Sequence, residues 1–150
     1  VFGVIVGTGT GAGIVVDGRP LIGPNALAGE WGHIPLPWPG ASELPGPECY
    51  CGQRGCVETF LSGPAFQRDG GQVDVYASRM ARALASVINV LDPDVIVLGG
   101  GLSNIERLYQ NIPALWGKWV FSDTVRTRLV RNAQGDSSGV RGAAWLWADK

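Results

Sequence analysis

The sequence predicts an α/β domain, and three observations carry that expectation. Short aliphatic, β-branched runs at 1–6 and 95–98 each end directly in glycine turns, GTGTG and GGG. Between them lies a stretch with apolar residues at helical spacing: Tyr76, Met80, Ala83, Leu84, Val87, Ile88 and Leu91. Strands that feed glycine turns and then helices belong to α/β architecture.

Taken in order, residues 1–6 and 12–17 read as strands joined by the GTGTG turn. Asp17-Gly18 is a hairpin signal, so 18–22 reads as a third short strand. Residues 25–31 read as a short helix or turn bearing Glu30. The proline-rich segment 37–48 is irregular, because proline lacks the donor that regular structure needs. Residues 57–67 give short helical turns and 75–91 a long helix that Pro93 stops. Residues 95–98 form a buried strand, 104–120 an amphipathic helix despite Pro113, 125–131 a strand, and 140–148 a final helix.

The 150 residues suffice for one domain with a proper core. A net charge of −1 offers no basic face for nucleic acid. Hydrophobic content of 45% with 17% charged residues is that of a folded soluble protein. Charges or glycines break every apolar stretch before it could span a bilayer. The first residues have neither the basic region nor the cleavage site of a signal peptide. Three cysteines at metal spacing suit a reducing cytoplasm, and a cytoplasmic protein without membrane or nucleic-acid partners is expected.

The chemistry concentrates in 33–56. His33, Cys49, Cys51 and Cys56 are the only histidine and the only three cysteines of the chain. Three thiolates and an imidazole make a closed tetrahedral set that suits Zn²⁺. In the C-x-C-G-x-x-G-C run, Gly52 and Gly55 let the backbone turn tightly around a metal. A disulfide would leave one cysteine over. Glu30 lies three residues before His33, and Glu58 two residues after Cys56. Carboxylates and an imidazole around one point can accept hydrogen bonds from ligand hydroxyls. Glu30 also reads as a charge at a helix start, and Glu58 as a solvated helix residue.

Two glycine turns are candidates for a phosphate site. Gly7, Thr8, Gly9, Thr10 and Gly11 follow a strand, and their N–H groups could cradle a phosphate or simply close a hairpin. Gly99, Gly100 and Gly101 end a buried strand before a helix that Ser103 or Asn104 would cap. Neither run has the spacing of a Walker loop or of a dinucleotide fingerprint. Trp116, Trp119, Trp145 and Trp147 are spaced as packing or dimer-interface residues. Trp31 and Trp38 flank the metal run and could shape a pocket beside it. Arg54 reads as a solvated charge or a dimer contact.

Five ordered motifs, GTGTGAG, AGEWGH, CYCGQRGCVETFLSG, LDPDVIVLGGGLSN and GDSSGVRGAAWLW, resemble the carboxy-terminal half of ROK-family sugar kinases. The PLPWP run and the final motif look most like the bacterial fructokinase, or manno(fructo)kinase, branch. The resemblance implies a ribonuclease-H-like, actin-like fold with a mixed sheet and flanking helices around a zinc knuckle. It implies ATP with Mg²⁺ held at the two glycine turns, and a hexose, fructose or mannose, held by Glu30, His33 and Glu58. Zn²⁺ would be structural, and a homodimer is usual. The D-x-G-G-T loop and the catalytic aspartate would lie in an amino-terminal domain absent from this chain. Two other readings remain: the sugar-sensing half of a ROK repressor, or an inactive fragment. The chain departs from the pattern between Phe66 and Tyr76, where an extra helical segment is expected, and at Gln134, where histidine is usual.

Overall fold

Alternation decides the first strand: Phe2, Val4 and Val6 are buried, whereas Ile5 points outward and is 46% exposed. The computed structural model describes residues 1–135. Their strands are β1 Phe2–Val6, β2 Thr10–Val16, β3 Arg19–Pro20, β4 Val95–Gly99 and β5 Arg128–Arg131. The helices are α1 Glu58–Leu61, α2 Gly63–Arg68, α3 Val73–Leu91 and α4 Leu108–Trp116. Short 3₁₀ turns occupy Trp31–His33, Ala41–Glu43 and Gly101–Asn104. Among the described residues no helix is long and apolar enough to cross a membrane.

The sheet is mixed, in the order β3-β2-β1-β4-β5. β1 runs antiparallel to β2, pairing Phe2 with Ile14 and Val6 with Thr10. It runs parallel to β4, pairing Ile5 with Gly99, and β4 runs parallel to β5. The parallel register brings the end of β1, and so the first glycine turn, beside the glycines that end β4. Tyr76, Met80, Leu84 and Ile88 of α3, with Leu108, Ile112 and Trp116 of α4, pack in one core with Phe2, Val4, Val6, Ile96 and Leu98. The Tyr76 hydroxyl donates to the Leu61 carbonyl at 2.8 Å, which ties α3 to α1 inside that core.

Several boundaries differ from the sequence expectation. α3 begins two residues early, and it ends at Asp92, whose φ of 43° turns the chain before Pro93. The expected 104–120 helix is only Leu108–Trp116. Residues 101–104 are used instead to close the glycine turn, where the Ser103 hydroxyl donates to the Gly100 carbonyl at 2.7 Å. Ser103 and Asn104 therefore do not cap a following helix; no side chain caps α4. β2 starts at Thr10, so the first turn is tighter than expected, and β3 is two residues long. Trp31 packs edge-on against Phe2 in the core, 5.7 Å between ring centres, and Trp38 stacks on Trp119. Neither tryptophan lines the cavity beside the metal run that Cys49 and Tyr50 border; Trp31 is buried against Phe2, and Trp38 stays half exposed beside Trp119. The 140–148 helix, with Trp145 and Trp147, and most of the GDSSG turn lie outside the described residues.

The irregular proline-rich segment is held by charge. Glu43 accepts from both guanidiniums of α3 that face it, Arg79 at 2.9 Å and Arg82 at 2.8 Å, with side chains 7–14% exposed. Arg82 also donates to the Pro37 and Trp38 carbonyls, and Arg79 pairs with Asp69 and lies over the Phe60 ring. Burial alone would raise the Glu43 carboxyl, yet hydrogen bonds from Arg82, Arg79 and the Gly40 N–H hold it down at about 2. A carboxyl depressed in the folded state contributes stability above its ordinary value of 4.5 and loses it as pH falls toward about 2. Unfolding followed by circular dichroism should therefore show stability falling across that window. Glu43→Ala, which leaves the buried Arg82 guanidinium with carbonyl acceptors but no counter-charge and leaves Arg79 with Asp69 alone, should cost about 3 kcal/mol at neutral pH and flatten that acid dependence.

Candidate functional site

The residues flanking His33 and those flanking Cys56 are drawn together by backbone pairing. The Leu36 N–H donates to Gly55 and the Val57 N–H to Ile34, around a bridge between Pro35 and Cys56. A second bridge, Glu48 with Arg54, closes the knuckle, and Gly52 and Gly55 take positive φ at its corners. Arg54 is used locally: it donates to Glu48 at 2.6 Å and to the Gly46 carbonyl.

These pairings bring one donor atom from each of His33, Cys49, Cys51 and Cys56 within 4.8 Å of one another. Cys51 and Cys56 sulfurs are 3.6 Å apart, and Cys49 Sγ is 3.5 Å from His33 Nδ1. Ligands about 2.0–2.3 Å from one tetrahedral ion sit roughly 3.5–3.8 Å from each other, so the two shortest pairs are already at zinc spacing and the whole set is compatible with zinc. Burial, then the Cys51 and Cys49 sulfurs, push the Cys56 thiol up to about 12, whereas the Gln53 backbone hydrogen bond pulls Cys51 down. A cation among three crowded sulfurs reverses the first effect, since a coordinating thiol is deprotonated.

His33 turns Nδ1 to the sulfurs and Nε2 outward, where the Tyr50 hydroxyl lies at 2.8 Å. Tyr50 is the x of C-x-C. Slight desolvation against the knuckle, then the charges of Glu58, Cys49, Glu30 and Cys51, raise its phenol, although the side chain is largely exposed. The Tyr50 hydroxyl already occupies the outward nitrogen of His33, one of the three residues expected to bind hexose hydroxyls. Sequence reasoning passed over Tyr50, although its place between two ligand cysteines fixes its direction. Glu30 is exposed and stands immediately before the Trp31–His33 turn. Glu58 opens α1, and with Thr8, Tyr50, Thr59, Ser62 and Arg68 it lines a cavity of about 330 Å³. The hydroxyls of Thr59 and Ser62 are occupied, donating to the Cys56 carbonyl and accepting the Ala65 N–H.

The two glycine runs meet at the carboxyl ends of β1 and β4. Gly100, at φ of 81°, passes so close to β1 that a Cβ there would lie 2.5 Å from the Val6 carbonyl oxygen. Asn132, just past β5, donates to Leu98 and toward Ser103, and among the described residues its buried amide oxygen has no partner. Open α/β sheets hold nucleotides in this crevice beyond the strand ends. Within the first turn, Thr10 faces inward: it is 6% exposed, its hydroxyl is buried, and its N–H donates to Glu58. Larger concavities lie elsewhere. One of about 790 Å³ sits at the opposite end of the sheet, between the end of α3 and the approach to β5. It holds none of the expected site residues.

The model of the ROK family matches residues 1–74 and 71–150. An N-acetyl-D-glucosamine kinase from Pectobacterium carotovorum is 35% identical over 175 residues, covering 97% of this chain and 58% of the relative. Among solved structures, a ROK hexokinase from Thermus thermophilus superposes with a TM-score of 0.79 at 29% identity, covering 98% of this chain and 57% of that one. A ROK family glucokinase from Streptomyces griseus, solved with glucose and AMPPNP, gives 0.82 at 23% identity, with 99% and 60% covered. A ROK family transcriptional regulator, homologous to the E. coli MLC protein, gives 0.71 at 26%, with 87% and 41% covered. The mixed sheet and flanking helices are thus the actin-like ATPase fold that the sequence motifs imply. The chain spans about three-fifths of the length of the curated relative. The two matched segments meet at 71–74, where Gly70 and Gly71 make a tight link from α2 to α3. The expected extra helical segment is missing at that point.

A structural zinc contributes apparent binding free energy of about 10–16 kcal/mol, comparable to the roughly 5–15 kcal/mol that holds a whole domain folded. Protein purified without chelator should carry one zinc per chain by elemental analysis. Stripping it should unfold at least residues 30–60, read as loss of amide protection there. Metal-free protein that keeps this protection would remove the zinc assignment.

Proposed function

This chain belongs to the ROK family, and on that premise we propose that the protein carrying it transfers phosphate from ATP to a hexose hydroxyl. The observation that carries this reading is one junction. The Glu58 carboxylate lines the cavity beside the zinc knuckle and at the same time bonds the glycine turn that would hold phosphates. Phosphoryl transfer is mostly positioning and charge stabilisation, so a residue bordering both ligands is where such a site should be dense. Glu30, His33 and Glu58 are proposed to accept from or donate to sugar hydroxyls, with His33 offering Nε2 where Tyr50 now sits. The amides of Thr8 and Gly9 in the first turn and those of Gly99, Gly100 and Gly101, with Ser103 and Asn104 nearby, are proposed to face the phosphates of ATP, whose charge Mg²⁺ would share. Zinc is structural in this scheme, because four protein donors leave no coordination position for substrate. Among the described residues no aspartate lines the Glu58 cavity, and the general base is proposed to lie elsewhere.

The hexose is the finer point. The PLPWP and GDSSGVRGAAWLW motifs favour fructose or mannose. The Pectobacterium relative is named for N-acetyl-D-glucosamine, and the Thermus neighbour only for hexose. A panel of these three sugars and glucose, assayed by coupled ADP release, decides between them. A second reading, a sugar-responsive repressor, is favoured by the likeness to the regulator. It predicts hexose binding without turnover, together with operator DNA binding by the full-length protein.

Hydrogen bonds to charged groups give the expected size of the effect. In the full-length protein, Glu30→Gln and Glu58→Gln should each lower kcat/KM for the preferred hexose by about 10- to 100-fold. ATP affinity and zinc content should stay near wild type. His33→Ala should lose zinc and fold along with hexose binding. Unchanged hexose kinetics in both glutamine variants would make these carboxylates structural and overturn the assignment.

A further inference from the structure

Glu58 has more than one connection, and the second is not to the cavity. Its Oε2 accepts the Thr10 N–H at 2.8 Å across 48 residues of sequence. Gly9 lies so close that a Cβ there would stand 2.7 Å from the same oxygen. The other end of the turn is held too, since the Gly63 N–H at the start of α2 donates to the Gly7 carbonyl at 2.6 Å. The 7–11 turn is therefore clipped at both ends by the helices that follow the metal knuckle. Thr59 N and Oγ1 both bond the carbonyl of Cys56, at 2.9 and 2.7 Å, so α1 and its first residue Glu58 are placed by a metal ligand.

We propose that Glu58 is a positioning residue for the nucleotide turn as well as a hydroxyl ligand, coupling hexose and nucleotide binding through one carboxylate. Oε2 holds the Thr10 amide inward. Among the described residues the amides of Thr8 and Gly9 make no backbone hydrogen bond, so they are left for a ligand, and Oε1 is left for a sugar hydroxyl. Thr10 in this scheme shapes the turn and does not touch phosphate. A hexose that fixes Oε1 also fixes Oε2, and with it the turn, so each ligand favours the other. Linkage makes that preference reciprocal. The inference rests on the sugar kinase reading for its ligands but not for its hydrogen bond.

Three variants test it in the full-length zinc-loaded protein, with hexose and a non-hydrolysable ATP analogue titrated separately by calorimetry. Glu58→Ala removes both roles, and both affinities should fall, the hexose by about tenfold or more and the nucleotide by about fivefold. Glu58→Gln keeps an oxygen that accepts the Thr10 N–H, and it should restore nucleotide affinity while leaving hexose weak. Gly9→Ala leaves the carboxylate in place but drives a methyl against Oε2, and it should weaken hexose binding although residue 9 lies on the nucleotide turn. Zinc content should be constant in all three. The bond itself is read without ligands by hydrogen exchange at the Thr10 amide: slow in wild type and Glu58→Gln, fast in Glu58→Ala. Nucleotide affinity unchanged in Glu58→Ala, or Thr10 exchange unchanged in it, would overturn the proposal. A wild-type protein that binds no hexose while Thr10 exchange responds as expected would instead remove the sugar kinase reading and leave the clip standing.

Discussion

Closure of the loop between His33 and Cys56 is the constraint on which the rest of the site depends. Residues 33–56 contain too much proline and glycine to organise themselves by backbone periodicity, and they contribute little to the apolar core. Four donor atoms within 4.8 Å of one another replace that missing core. A metal bound there would substitute coordination for burial, which is how small loop-rich segments acquire a fixed shape. Because Cys56 is the last donor and α1 begins two residues later, the direction of α1 follows from the knuckle. The cavity that Glu58 lines, and the glycine turn it bonds, follow from α1.

Charge does for the proline-rich arm what the knuckle does for its tip. Glu43 receives two guanidiniums from successive turns of α3, and Arg82 also satisfies two carbonyls that no regular structure would satisfy. A buried ion pair is a poor source of net stability on its own. Here it supplies register, fixing an irregular segment to a rigid helix. Asp69 joins the same network from the α2–α3 link, so the link and the loop share one anchor. The tight 69–72 connection is thereby held beside the Glu58 cavity, where Arg68 contributes a wall.

The two glycine runs illustrate a different economy of means. Neither resembles a familiar phosphate loop, and each alone is an ordinary turn. Parallel pairing of β1 with β4 places them side by side, and the register Ile5 with Gly99 leaves their backbones nearly touching. The crevice they form is a product of sheet order. The donors it offers are fewer than the glycine count suggests, because the Thr10 amide and the Ser103 hydroxyl are used internally.

The sequence alone determined the α/β class, the long helix α3, the strands β1 and β4 with their glycine ends, and the Cys₃His donor set. Each of these is written in local spacing, where periodicity or exclusive clustering leaves few alternatives. Local spacing was silent on partners. It could not show that 101–104 would fold back on Gly100, that Trp31 and Trp38 would find aromatic neighbours, or that Tyr50 would meet His33. Above all it could not show that Glu58 would reach Thr10. Such pairings depend on which surfaces the sheet order and the closed knuckle bring within hydrogen-bond range. Only the tertiary structure decides that, since a carboxylate has no directional preference until a donor is placed before it.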